Sequence, residues 1–347
     1  MSERKPILEV EHLTTSFKTD RGVVTAVDDV SFDVFAGETL GIVGESGCGK
    51  TVTSKSIMRL LPDHVTRYGP ASRVRFRGDD LMAFDEKAMR DVRGAKIAMI
   101  FQEPMTSLNP VFTIGWQLDE TLQYHTDLSK AQRRARSIEM LELVEIPNAD
   151  KRVDEYPHQL SGGMRQRVMI AMALACQPDV LIADEPTTAL DVTIQAQILR
   201  LMEDLKKKLD TAILLITHDL GVVAQVCDRV LVMYAGRVIE QAPIRDLFRR
   251  PKHPYTRALL ESIPKSGRRE RGKRLATIPG IVPSLFELPA GCRFQERCEL
   301  REARCDAEEP ELAAVEGAAE RSVRCHFPLD VEREAPQAAQ PSPEEAS

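Results

Sequence analysis

The segment Gly44-Glu-Ser-Gly-Cys-Gly-Lys50-Thr51 constrains this chain more tightly than any other. It follows the buried-strand pattern TLGIVG and precedes an apolar-periodic stretch, Val52–Leu61, that reads as a helix. Strand, G-x-x-x-x-G-K-T and helix in that order make a P-loop. Gly44, Gly47 and Gly49 let consecutive backbone N–H groups curve around phosphate oxygens at the positive end of a helix. Ser46 and Cys48 complete the loop. Lys50 is placed to reach the β- and γ-phosphates of ATP, and Thr51 to offer its hydroxyl to Mg²⁺. A glycine-rich turn that binds nothing is the competing reading, and the intact flanking strand and helix disfavour it.

A second half-site is spelled by Val180-Leu-Ile-Ala-Asp184-Glu185. Four apolar residues form a buried strand that ends in two carboxylates, where open α/β sheets bind ligands. Asp184 suits the Mg²⁺ shell, and Glu185 is placed to polarise an attacking water. Alone, two acids after a strand are more often a helix cap; beside a P-loop they read as chemistry. In Leu160-Ser161-Gly162-Gly163-Met164-Arg165-Gln166, the serine and two glycines open a helix whose exposed N–H groups could hold a γ-phosphate. A plain serine-capped helix with a Gly-Gly entry is the bland alternative.

The remaining pattern alternates strands with helices. Residues 7–35 give two β-like runs around a charged turn, and KIAMIF gives a buried strand. Residues 116–145 read as helical, with Ser129 and Gln132 spaced as a capping box. Residues 164–176 and 194–209 read as helices, and DVLIADE, AILLITH and RVLVMYAG as strands. The expected fold class is α/β: a P-loop core of largely parallel strands covered on both faces, with an antiparallel β subdomain and a helical insertion. No long-period repeat is present, so a single nucleotide-binding unit is expected. The expected domains are 1–250 for that unit, with the insertion at about 103–163, then 251–328 for a Cys-rich extension and 329–347 for a disordered tail. Within the extension, KSGRRERGKR (265–274) suits an exposed linker.

Charge and hydropathy narrow the function classes. The formal net charge is −6, so no global positive field favours nucleic acid. No stretch nears the roughly 18 apolar residues that span a bilayer, and the opening residues lack the apolar core of a signal peptide. The expectation is a cytoplasmic chain whose membrane role is peripheral. Of seven cysteines, Cys292, Cys298, Cys305 and Cys325 crowd toward the C-terminus. In a reducing compartment such a group suggests a metal or cluster site over disulfides. No short zinc knuckle is present, and four thiolates suffice for a [4Fe–4S] cluster. Cluster, zinc and free thiols all stay open. Cys48 has two readings, a thiol activated by its helix N-terminus or a small filler.

With these motifs in place the chain resembles the ABC ATPases, whose LSGGQ signature matches Leu160–Met164 except that Met164 replaces Gln. The resemblance assigns further residues. Phe17 matches the aromatic that stacks on adenine, and Gln102 the Q-loop residue that touches Mg²⁺ and senses the membrane subunit. Asp191, in Ala189-Leu190-Asp191, matches the D-loop, and His218 the switch histidine on the γ-phosphate. It implies that two cassettes pair head to tail, each ATP held by one P-loop and the partner's signature, with Glu185 and His218 catalytic.

Three further segments, Pro104-Met-Thr-Ser-Leu-Asn-Pro110, His253-Pro-Tyr-Thr-Arg-Ala-Leu-Leu260 and Ile278-Pro-Gly-Ile-Val-Pro283, resemble the D-type ATP-binding subunits of dipeptide and oligopeptide permeases. That resemblance implies a peptide importer on the cytoplasmic face of the membrane. Its partners are a second, non-identical cassette, two transmembrane permease subunits and an extracytoplasmic peptide-binding protein. The cysteine quartet resembles one associated with a [4Fe–4S] cluster in that subfamily. Nickel importers share the pattern, and a soluble ABC ATPase of translation or DNA repair is the reading from another class. Those soluble proteins generally carry two cassettes or a long coiled coil, neither of which is seen here.

Overall fold

The computed structural model describes residues 5–102, 108–188, 191–263, 277–318, 320–330 and 332. Most of the segment 104–110, Ala189 and Leu190, the basic stretch 265–274 and nearly all of the tail lie outside the described residues.

Strands β1 (Leu8–Thr19) and β2 (Gly22–Val34) form a long antiparallel hairpin. β3 (Thr39–Val43) follows, runs into the P-loop and is succeeded by the helix Lys50–Ile57. That helix is shorter than the Val52–Leu61 periodicity predicts; Arg59, at φ 48, turns the chain out of it. Three short strands, β4 (Thr66–Tyr68), β5 (Arg73–Phe76) and β6 (Asp79–Asp80), return to the hairpin and complete a five-stranded antiparallel sheet.

The second sheet holds the chemistry. β3 is joined by β7 (Ile97–Ile100), β8 (Val180–Asp184), β9 (Ala212–Thr217) and β10 (Arg229–Tyr234) in the order β10-β3-β9-β8-β7, each neighbouring pair parallel. β11 (Arg237–Pro243) turns back on β10 antiparallel, because only Ala235 and Gly236 separate them, too few for a crossover. Both linking residues have positive φ, 43 and 86, as tight hairpin turns require. β12 (Ala313–Ala314) and β13 (Ser322–Val323) extend that edge from the C-terminal part of the chain. The sheet is therefore parallel at its centre and antiparallel along one margin.

Side chains alternate between two cores along the parallel strands. Leu181, Ala183, Ile213 and Leu215 pack on the face toward the helical layer. Val180, Ile182, Leu214 and Ile216 pack on the face toward the antiparallel sheet. Burial on both faces is why these strands read as continuous apolar runs.

The stretch 116–145, predicted as one helical region, is two helices, Ile114–His125 and Lys130–Leu143. The Ser129–Gln132 capping box is formed and marks the start of the second, so the signal that strengthened the helix reading is also the break. Ala149–Arg152 and a 3₁₀ turn at Pro157–Gln159 lead to the helix Gly162–Leu174. Among the described residues, no helix is long and apolar enough to cross a membrane. Leu214, fully buried on the central strand β9, gives a direct check of the packing. Leu214→Ala is expected to lower unfolding free energy by about 2–5 kcal/mol, read from the denaturant midpoint.

Candidate active site at the carboxyl ends of the parallel strands

The register of the sheet sets Val43 opposite Thr217, and Ile216 opposite Asp184. The P-loop after β3, the acid pair ending β8 and His218 after β9 therefore leave the same edge side by side. Gly44 has φ +156, and a Cβ there would stand 2.3 Å from the Met233 carbonyl oxygen. Gly49 has φ +103, and a Cβ would meet the Ala26 oxygen at 2.5 Å. Neither position admits a side chain. Ser46 and Gly47 are exposed at the rim, while Lys50 is buried with Nζ donating to Gly44 O at 2.7 Å and Glu45 O at 3.0 Å. The helix Lys50–Ile57 has no side-chain cap and no acidic residue in its first turn. Its leading N–H groups and positive dipole end are thus suited to an anion.

Cys48 is fully buried, and burial raises its thiol above the ordinary range despite the nearby Lys50 charge. It fills space between the loop and β10; the reactive-thiol reading does not hold.

Asp184 is buried, with Oδ1 accepting from Thr51 Oγ1 at 3.2 Å, and Oδ2 has no hydrogen-bond partner. A hydroxyl and an orphaned carboxylate oxygen, close together at a helix N-terminus, fit a divalent cation that seeks oxygen ligands. Burial lifts the Asp184 carboxyl above its usual range, and neighbouring Glu185 adds to this, against the Thr51 bond.

Glu185, in a left-handed conformation at φ 48, turns its carboxylate the other way. Oε1 lies 3.1 Å from His218 Nδ1, while Oε2 accepts from Thr188 Oγ1 at 2.9 Å and from Gln102 Nε2 at 3.5 Å. Burial pulls this carboxyl up, but the His218 and Thr188 bonds, with the Lys50 charge, outweigh it and hold the group below the ordinary value. Thr188 is the member that sequence reasoning missed. The Glu185-x-x-Thr188 spacing, a single turn closed by Thr188 N to Glu185 O at 3.2 Å, was its only signal.

The other candidate residues are more dispersed. Ser161 caps the helix Gly162–Leu174 by accepting from Met164 N at 3.3 Å, and Ser161 and Gly162 stand exposed. Gly163 abuts Ile194, and Gln166, buried behind them, donates to Pro186 O just past the acid pair. Asp191 caps the helix Val192–Leu209 through Ile194 N at 3.0 Å. Phe17 is half-buried on β1, two residues after Thr15, whose hydroxyl meets Ser56 on the P-loop helix at 2.8 Å.

The cysteine expectation is not supported. Among the described residues, no group of three or more His, Cys, Asp or Glu is disposed to hold a metal ion. Cys292, Cys298, Cys305 and Cys325 are free thiols. Burial, with contributions from the neighbouring thiols, pushes Cys292 up to about 12 and Cys325 to about 11. At Cys292, Cys298 and Cys325 partial burial thus disfavours the thiolate form that metal ligation needs.

Comparison with known proteins bears on the whole chain. The family described as ABC transporter matches residues 27–188, and the oligopeptide/dipeptide transporter C-terminal region matches 239–305. A probable peptide ABC transporter ATP-binding protein of Sinorhizobium fredii is 55% identical over 310 residues, 89% of this chain and 92% of that protein. A dipeptide transport ATP-binding protein of Bacillus subtilis is 54% identical over 300 residues, covering 86% and 89%. Among solved structures, a dimeric ATP-binding cassette in a post-hydrolysis state with ADP and Pi is 27% identical. It superposes with a TM-score of 0.61 over 69% of this chain and 99% of that one. The cassette fold of P-loop, mixed sheets and helices is thus shared.

The Thr188 hydroxyl gives a test of the site's electrostatics. In Thr188→Val, one bond that holds the Glu185 carboxyl low is gone, so its titration midpoint is expected to rise toward the ordinary glutamate value. Carbon-13 NMR titration of carboxyl-labelled glutamate, assigned with Glu185→Gln, reads the midpoint; an unmoved value contradicts the assignment.

Proposed function

The chain belongs to the ATP-binding proteins of ABC transporters, in the branch carrying the oligopeptide/dipeptide C-terminal region, and from that premise we propose that its ATP hydrolysis powers peptide import. The observation that carries the catalytic reading is the Glu185 carboxylate, contacted by His218, Thr188 and Gln102 beside the Thr51–Asp184 pair. Peptide cargo rests on the relatives of Sinorhizobium fredii and Bacillus subtilis, whose names refer to peptide and dipeptide transport. Neither the nickel reading nor the soluble translation or repair reading finds such support.

In this reading the N–H groups of Gly44–Thr51 and the Lys50 ammonium cradle the phosphates, and Phe17 supports the adenine. Mg²⁺, when bound with ATP, offsets charge on the phosphate oxygens, and Thr51 and Asp184 are the residues that would hold it, with Gln102 alongside. Glu185, ionised because of its hydrogen bonds, accepts a proton from the attacking water. His218 orients that carboxylate and faces the γ-phosphate. Ser161 and Gly162 are exposed, with Gly163 partly covered beside them, and the three are suited to reach the nucleotide of a second cassette, with Asp191 at the same junction. Residues 1–250 act as the cassette, about 103–163 as its helical insertion, and 251–328 as the extension.

A second cassette of similar but non-identical sequence, two permease subunits and a peptide-binding protein complete the proposed machine at the cytoplasmic membrane face. An exposed apolar surface at the entry to the helix Ile114–His125 supports docking to a permease. Val111 and Trp116 are 70% and 44% exposed, and the Trp116 ring stacks on Phe112 with centroids 3.9 Å apart. The [4Fe–4S] reading rests on the number of the four cysteines and on the subfamily resemblance, and the residues as placed do not fit it. Stoichiometric iron and acid-labile sulfide in anaerobically purified protein would establish the cluster; an iron-free, folded preparation would remove it.

Glu185→Gln keeps the size of the side chain and one accepting oxygen while abolishing the base. Steady-state turnover is expected to fall about 10²–10⁴-fold with MgATP binding retained. Equal turnover in variant and parent would remove Glu185 from catalysis.

A further inference from the structure

Glu45, the second residue of the P-loop, is gripped from the far end of the sequence. Its backbone N–H donates to the Tyr255 hydroxyl at 3.1 Å, across 210 residues. Arg297 Nη1 lies 3.1 Å from both carboxylate oxygens of Glu45, across 252 residues. The Glu45 carbonyl accepts from Lys50 Nζ at 3.0 Å. The three polar groups of one loop residue are therefore occupied, two by the C-terminal extension and one by the phosphate-binding lysine.

The groups that grip it are themselves fixed. Tyr255 is fully buried, and its ring packs against Tyr234 at 4.8 Å and Phe294 at 5.4 Å between centroids. Arg297, 7% exposed, also donates to the Pro279 carbonyl at 2.9 Å and to the Tyr234 hydroxyl at 3.4 Å. Such anchoring leaves the guanidinium little freedom to follow the loop; the loop must conform to it. The electrostatic consequence is equally direct. A carboxylate within an anion-binding loop repels phosphate, and a buried guanidinium on that carboxylate cancels much of the repulsion.

We propose that Arg297 and Tyr255 are positioning residues for nucleotide binding: through Glu45 they fix the curvature of the P-loop and neutralise its one acidic side chain. The C-terminal extension thereby becomes part of the ATP site's support. This rests on the ATPase reading above, and it concerns affinity for the nucleotide more than the rate of hydrolysis.

The test uses the full chain and titrates MgATP by displacement of a fluorescent ATP analogue, with steady-state KM and kcat alongside. Arg297→Met removes the charge at similar volume and is expected to weaken MgATP binding by about tenfold, with a larger change in KM than in kcat. Adding Glu45→Gln to Arg297→Met is expected to recover much of that affinity, because the uncompensated carboxylate is gone, and Arg297→Lys is expected to recover part. Tyr255→Phe removes only a hydroxyl from a packed ring and is expected to weaken binding by about threefold; it decides the matter should Arg297→Met not fold. Unchanged affinity in Arg297→Met or, failing that, in Tyr255→Phe, beside a parent that binds MgATP, overturns this inference alone. Loss that Glu45→Gln does not relieve overturns the electrostatic part. A parent that binds no MgATP overturns it together with the ATPase reading.

Discussion

β9 lies between β3 and β8, with Thr217 opposite Val43 and Ile216 opposite Asp184. This register places the P-loop, the acid pair and His218 at one edge, though Thr51 and Asp184 are 133 residues apart in the chain. It is held by packing: Leu214 and Ile216 face one core, Ile213 and Leu215 the other. A slip of one residue would exchange the two faces of the strand and separate the Asp184 carboxylate from the Thr51 hydroxyl. The two buried faces of the sheet are thus what fixes the geometry of the site.

Within that geometry, adjacent carboxylates acquire opposite characters. Asp184 is buried beside a single hydroxyl and is driven up, while Glu185 collects bonds from His218 and Thr188 and is driven down. Groups whose environments pull them apart in this way take different tasks. Asp184, with an unpartnered oxygen, is stabilised by gaining a cation. Glu185 keeps its charge without one and is available to a water. The left-handed backbone at Glu185 is what aims two neighbouring side chains at two different targets.

Much of this was legible in the sequence because it is local. A strand, a glycine-rich loop and a helix that opens on Lys50-Thr51 spell the P-loop whatever the rest of the chain does, and four apolar residues before Asp184 announce a buried strand. What could not be read is contact between distant segments. Tyr255 and Arg297 look like parts of an extension until the fold sets them on Glu45. The two-residue strands Ala313–Ala314 and Ser322–Val323 carry no periodicity at all; they exist because β11 leaves an edge to pair with. Ser129 was recognised as a cap, yet a cap is a beginning, and the region read as one helix is two. The cysteine spacing invites a cluster, but among the described residues the fold gathers no group of side chains disposed to hold a metal ion.

The C-terminal residues pack into the same fold as the P-loop. They add β12 and β13 to the central sheet's margin and set an aromatic and arginine cluster behind the phosphate loop. The proposed hydrolysis depends most on Thr51 and Asp184 together holding the cation that accompanies ATP. Electron paramagnetic resonance of Mn²⁺, titrated into the chain with a non-hydrolysable ATP analogue, measures this directly. Nucleotide-dependent Mn²⁺ binding is expected, weakening by about tenfold or more in Asp184→Asn; the same Mn²⁺ affinity in variant and parent would contradict this role for Asp184.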